Sequence, residues 1–134
     1  MAYQVVVFAE NRPGRLEKIT GVLAEAGINI RAITIASSDR FGVVKLLVDR
    51  PTDAVARLKE AGLSASLQEV LALPMEDRPG GLHKVLQVFA DKGINLRDAY
   101  GFVEESGRRA ILVVEVDDLE GAERSLADDR LYSL

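Results

Sequence analysis

Two short polar turns hold the residues with the clearest capacity for chemistry. Pro13-Gly14 and Pro79-Gly80 each follow an apolar segment and precede a helical pattern. Proline fixes φ and glycine reaches conformations closed to other residues, so each pair can turn the chain sharply into a helix and leave the first helical N–H groups free. Those groups and the helix dipole suit an anion, either a carboxylate or a phosphate. The alternative is an ordinary strand-to-helix turn, but the duplication of the turn favours binding.

Asn29 and Asn95 are the second pair of candidates. Each is predicted to sit one residue into a strand, between aliphatic neighbours, where asparagine is a poor strand former. A side-chain amide both donates and accepts hydrogen bonds, which suits a ligand that carries an ammonium and a carboxylate group. A turn residue that hydrogen-bonds its own backbone is an equally good interpretation of either asparagine.

Other reactive side chains form no recognisable catalytic set. The chain has no cysteine and one histidine, His83, which excludes zinc clusters, iron–sulfur sites and disulfides. No paired carboxylates, nucleophile–base pair or phosphate-binding loop appears, so we expect no catalytic residue, no metal and no cofactor. Duplicated arginines, Arg12 with Arg78 and Arg31 with Arg97, suit an anion clamp or a solvated surface role.

An internal repeat positions these residues. Residues 11–32 and 77–98 share 11 identities in 22 aligned positions at a constant offset of 66. Each copy is predicted to fold as β-α-β-β-α-β, which gives an α+β chain of two ferredoxin-like units, residues 1–66 and 67–134. Gly27 is the predicted stop of the first helix, and Thr52 is the candidate cap of the second.

The passage between the two copies has no flexible linker. Residues 63–73 must therefore supply both the last strand of the first unit and the first strand of the second, so we expect the units to pack side by side. The final strand of the second unit is predicted within residues 130–134.

Composition narrows the class of protein and its partners. The 134 residues are 48% hydrophobic with a formal net charge of −4, which is typical of a compact globular chain. Neither a signal peptide nor a run of roughly 18 apolar residues is present, so we expect a cytoplasmic protein without a membrane partner. The acidic balance makes nucleic acid an unfavourable partner.

The repeated motifs resemble those of proteins made of two tandem ACT domains. The similarity is carried by residues 10–16 and 27–30 and by their repeats at 76–82 and 93–96, and it covers essentially the whole chain. It implies one eight-stranded antiparallel sheet with the helices on one face and a ligand at the junction between the units. The binding residues implied are Asn11, Arg12, Pro13, Gly14, Arg15, Leu16, Asn29, Asp77, Arg78, Pro79, Gly80, Gly81, Leu82 and Asn95.

Two departures from the usual ACT pattern fall in the first copy. Asn11 stands where aspartate is commoner, and Arg15 stands where a small residue is usual. The two sites are therefore expected to differ.

The resemblance implies a non-catalytic regulatory protein that binds a free amino acid. The alternative is a regulatory subunit of an amino-acid biosynthetic enzyme such as acetolactate synthase, whose small subunit has a motif similar to residues 10–14 but a longer, different C-terminal half. A small hydrolase on the same fold has no supporting residues. Residues 5–8 and 110–114 do not alternate in polarity, which predicts a second buried face and hence a homodimer.

Overall fold

The structure is a computed structural model that describes residues 2–127. Its strands and helices alternate as β1 (Ala2–Glu10), α1 (Arg15–Glu25), β2 (Ile30–Ser38), β3 (Phe41–Val48), α2 (Pro51–Glu60), β4 (Ser64–Glu76), α3 (Gly81–Asp91), β5 (Leu96–Glu105), β6 (Arg109–Val116) and α4 (Leu119–Leu126). The β-α-β-β-α pattern occurs twice, which confirms the predicted α+β class of tandem ferredoxin-like units. The strand predicted within residues 130–134 lies outside the described residues.

The described residues divide into two compact units, of which Tyr3–Gln68 is the first and residues 69–127, with Ala2, form the second. Strand β4 is continuous and contributes residues to both. Eight strands were expected. The described residues form six, because β4 serves as two strands and the predicted last strand is not described.

In the first unit the strand order is β2-β3-β1-β4. Strand β3 is antiparallel to both β1 and β2, so that Leu46 lies opposite Val5 on one side and Ile33 on the other. Val5, Leu46, Ile19 and Leu58 belong to one buried cluster, so α1 and α2 both cover the face that holds Val5 and Leu46. Burying each such side chain contributes about 1.5–3 kcal/mol.

The second unit repeats this plan with the order β4-β6-β5. Leu112 of β6 lies opposite Leu73 of β4 and Gly101 of β5, again with antiparallel pairing. Leu73, Leu112, Phe89 of α3 and Leu126 of α4 belong to one buried cluster. Both units therefore hold their turns between a strand and a helix that are fixed by a packed core.

The apolar residues that predicted a homodimer are mostly buried within the single chain. Val6, Ile111 and Val113, which break the alternation of polarity, are all buried. Only Phe8 of the predicted set remains 58% exposed. The second face of these strands therefore needs no partner subunit to explain most of its apolar character.

Candidate ligand-binding site

The duplicated turns have the same backbone geometry in both units. Gly14 and Gly80 each have a φ of 86° and occupy the N-cap position of α1 and α3, without a side chain capping either helix. In both turns the N–H four residues on, from Lys18 or Lys84, donates to the glycine carbonyl at 3.0 Å. The left-handed φ requires glycine at both positions, as the sequence predicted.

The first residue of each turn hydrogen-bonds to the neighbouring hairpin, but it is the donor in the first unit and the acceptor in the second. The Asn11 amide donates to the Asp39 carbonyl oxygen at 3.4 Å. The Asp77 carboxylate instead accepts from the Gly107 N–H at 2.7 Å. Because asparagine stands at position 11, where aspartate is commoner, this hydrogen bond runs in the opposite direction in the first unit and is longer.

The turn arginines are paired with glutamates that immediately precede the turn. Arg78 Nε donates to Glu76 Oε2 at 2.6 Å, and Arg12 Nε lies 3.4 Å from Glu10 Oε2. These exposed pairs contribute little to stability, but they hold each guanidinium against its own strand. Neither arginine is left without a carboxylate partner.

A cavity of about 570 Å³ lies next to the second turn, between the end of β4, helix α3 and the β5–β6 hairpin. Its described lining is Pro74, Met75, Glu76, Gly81, Lys84, Val85, Val88, Arg108 and Arg109. Of the predicted binding residues only Gly81 lines it. The rest of the lining was missed, although Gly81, Lys84, Val85 and Val88 follow the i, i+3, i+4, i+7 spacing that marks one helix face.

The corresponding cavity of the first unit is about 70 Å³. Its lining includes the predicted residues Asn11, Arg12, Arg15 and Leu16. The Arg15 side chain is only 24% exposed, and its Nε is buried without a hydrogen-bond partner. Arg15 occupies the position that Gly81 occupies in the second unit.

The remaining predicted turn residues do not line the larger cavity. Pro13, Gly14, Pro79 and Gly80 are exposed and shape the backbone of the turns, and Asp77 acts through its tether. Leu16 and Leu82, which were implied as binding residues, are 37% and 45% exposed. Gly81 alone combines the predicted turn with the larger cavity.

Asn29 and Asn95 lie one residue before β2 and β5, so their predicted place inside a strand was wrong. The helix–strand turn ends with the Ile28 N–H donating to the Leu23 carbonyl at 2.9 Å, and the strand begins only two residues later. The Asn29 N–H donates to Asp49 Oδ1 at 3.1 Å, and the Asn29 carbonyl accepts from the Asp49 N–H at 3.2 Å, so the Asn29 backbone is held at the end of β3.

These asparagines also lie at the far end of the helix from the turn of their own unit. An 11-residue helix spans about 16 Å. Neither Asn29 nor Asn95 lines the two cavities described above. Within one unit the structure therefore does not bring the asparagine and the turn together.

The rim of the larger cavity carries both signs of charge. Arg108 pairs with Glu105 and Arg109 with Glu104, each at 3.0 Å. Within residues 2–127, by contrast, Lys84 makes no ion pair. Its ammonium is thus the cation of the rim that is available to a ligand.

Tyr100 on β5, which does not line the larger cavity, has a raised pKa. Burial, and secondarily the charge of Asp98, raise the pKa of Tyr100 to about 12. Tyr100 therefore stays neutral at physiological pH. Over the described part of the chain, no three His, Cys, Asp or Glu side chains cluster in a way that could hold a metal ion.

The family of the chain follows from these features and from comparison with known proteins. A model of the ACT domain pair matches residues 1–133. The chain therefore belongs to the ACT domain pair family, which confirms the resemblance seen in the sequence. No match was found among curated proteins.

Solved structures show the same fold. A crystal structure of a protein from Bacteroides thetaiotaomicron is 28% identical, with a TM-score of 0.90 over 99% of this chain and 91% of that one. The regulatory subunits of aspartate kinase from Thermus thermophilus and Thermus flavus are 20% and 19% identical, with TM-scores of 0.68 and 0.60. Both alignments cover 93% of this chain and 90% of the other.

The described helices are 8 to 11 residues long. None of those within residues 2–127 is both long enough and apolar enough to cross a membrane.

Proposed function

We propose that this chain is a non-catalytic regulatory protein that binds a free amino acid. The observation that carries the proposal is the cavity beside the second turn, whose rim places Lys84 and Glu76 on an otherwise largely apolar lining. A lysine ammonium suits the α-carboxylate of an amino acid, and a glutamate suits its ammonium group. A cavity of this size falls within the range of sites for small molecules.

The expected affinity is that of a metabolite sensor. An amino acid has roughly ten heavy atoms, and about 0.5 kcal/mol for each gives a binding free energy of about −5 kcal/mol. This corresponds to a Kd on the order of 0.1 mM. Binding of that strength shifts the occupancy of the site as the metabolite pool changes.

A thermal-shift screen of the twenty amino acids tests the proposal. At about 100 times its Kd a ligand stabilises the folded state by about 2.7 kcal/mol, which raises Tm clearly. We expect at least one L-amino acid to raise Tm, with its D-enantiomer as the matched control. If no amino acid raises Tm, the proposal is wrong.

A regulatory subunit of a biosynthetic enzyme is the second candidate. The fold similarity to the regulatory subunits of aspartate kinase supports testing this role. Purified acetolactate synthase large subunit and an aspartate kinase catalytic chain are the two baits, each with and without the amino acid found in the screen. Retention of the chain by one bait, changed by the ligand, supports this role, and retention by neither argues against both enzymes.

We also propose that the chain forms a homodimer through the first unit. Phe8 and Phe41 are 58% and 63% exposed. They share the face opposite α1, because Phe8 pairs with Val43 and Glu10 pairs with Phe41 in the β1–β3 register. Two large exposed aromatics on one face favour association. The ligand position between the two units that the resemblance implied is untested, and the present proposal places the ligand in the second unit instead. A cytoplasmic location stays a prediction.

A further inference from the structure

We propose that the two units are not equivalent, that only the cavity of the second unit takes the ligand, and that this ligand is an amino acid with an aliphatic side chain. The inference rests on the proposed function and deepens it. It names one site per chain, where the duplicated sequence suggests two. It also names the class of amino acid.

The cavities beside the two turns differ in volume. The cavity linings share four equivalent positions, which are Ala9 with Met75, Glu10 with Glu76, Arg15 with Gly81 and Ile19 with Val85. Only the exchange of arginine for glycine removes a long side chain. The cavity volume is about 70 Å³ with Arg15 and about 570 Å³ with Gly81.

Arg15 lines the first cavity with most of its side chain buried. Three quarters of its side chain is buried, and its guanidinium lies 4.0 Å from the Glu10 carboxylate. The same cavity is lined by the apolar residues Leu16, Ile19, Ile35 and Val44, and arginine stems commonly cover such surface. A ligand would have to displace this side chain in the first unit, whereas the second unit offers open space.

The larger cavity has apolar walls. Its walls carry Pro74, Met75, Val85 and Val88, which are all apolar. The two arginines of the lining are each already paired with a glutamate. A charged side chain placed against the four apolar walls would lose hydration, while an aliphatic side chain would gain buried apolar area. The walls therefore favour an aliphatic side chain over an acidic or a basic one.

Lys84 and Glu76 at the rim of the cavity orient the ligand. Within residues 2–127 the Lys84 ammonium has no ion pair, so it is available to the ligand carboxylate. Arg78 contacts Oε2 of Glu76, which leaves Oε1 for the ligand ammonium. The polar end of the amino acid then lies at the rim, and its side chain lies along Val85 and Val88.

Isothermal titration calorimetry on the full chain tests the proposal, with leucine, aspartate and lysine as probes. We expect one leucine per chain and binding of aspartate and lysine at least tenfold weaker. Lys84→Glu should weaken leucine binding at least tenfold. Lys18→Glu is the matched control, because Lys18 is the exposed equivalent of Lys84 in the first unit and should leave the Kd unchanged.

The outcomes separate the two proposals. Two leucines per chain, equal effects of Lys84→Glu and Lys18→Glu, or preferred binding of aspartate or lysine would overturn the inference while the proposed function stands. If none of the twenty amino acids binds, both fail. Circular dichroism spectra and melting curves of the two variants, both at exposed positions, establish that they fold like the native chain.

Discussion

The carbonyl oxygen of Glu76 lies where a Cβ on Gly81 would have to stand. The chain thus closes on itself across the second turn, and this approach forms one end of the larger cavity. We expect Gly81→Ala to destabilise the protein by about 1–3 kcal/mol, because the added methyl group overlaps a backbone atom that cannot move without shifting β4. Urea denaturation measures the change.

The matched control for this substitution is Gly21→Ala in α1. A Cβ at Gly21 meets nothing within 4 Å, and the residue is exposed within the helix. Alanine should therefore stabilise the protein there by up to about 1 kcal/mol through its helix propensity. Equal effects of the two substitutions would contradict the close approach at Gly81.

The tethers of the two turns predict unequal costs for a matched pair of alanine substitutions. Asp77→Ala removes the 2.7 Å bond from the Gly107 N–H to a charged acceptor, while Asn11→Ala removes a bond of 3.4 Å between neutral groups. We expect a loss of about 1 kcal/mol for Asp77→Ala and of less than about 0.5 kcal/mol for Asn11→Ala. A larger loss for Asn11→Ala in urea denaturation would contradict this difference.

Arg15→Gly is predicted to create a second binding site. The helix face of the first unit already carries Lys18, Ile19 and Val22 where the second unit carries Lys84, Val85 and Val88. Removing the arginine should free the space between this face and β1, so calorimetry should report two leucines per chain instead of one.

Arg15→Lys is the control for this prediction, because lysine keeps a long side chain at position 15. It should leave the stoichiometry at one. A stoichiometry of one for Arg15→Gly as well would show that Arg15 does not close the first site.

Association through the first unit predicts the effect of a double substitution. Phe8→Ser with Phe41→Ser removes the two most exposed large apolar side chains of that face. We expect light scattering to report a dimer for the native chain at micromolar concentration and a monomer for the double variant. A native monomer, or a dimer unaffected by the substitutions, would contradict the proposed interface.

The repeat made much of the fold predictable, because duplicated turn and helix-stop residues have only local requirements. Gly27 was predicted to end the first helix, and the N–H groups of Gly27 and Ile28 do close it, onto Ala24 and Leu23. The prediction that Thr52 caps the second helix was wrong, because Pro51 is already the first helical residue. A proline fixes φ at the first helical position, so the N-cap falls on Arg50.

The candidate site was harder to predict than the fold. The turn could be recognised from Pro79, Gly80 and Gly81, but the cavity also depends on Arg108 and Arg109, whose approach requires the β5–β6 hairpin. Asn95 was expected one residue inside a strand and lies one residue before it. Such strand boundaries depend on how the helix end is closed and not on the spacing of apolar residues.

Selective occupation of the second unit by an aliphatic amino acid distinguishes the two copies of the repeat. A titration of the ¹⁵N-labelled chain with leucine, followed by NMR, tests it most directly. We expect saturable shifts of the backbone amides of Gly81, Lys84 and Val88, with little change at their equivalents Arg15, Lys18 and Val22. Shifts of equal size in both sets, or shifts confined to the first unit, would contradict it.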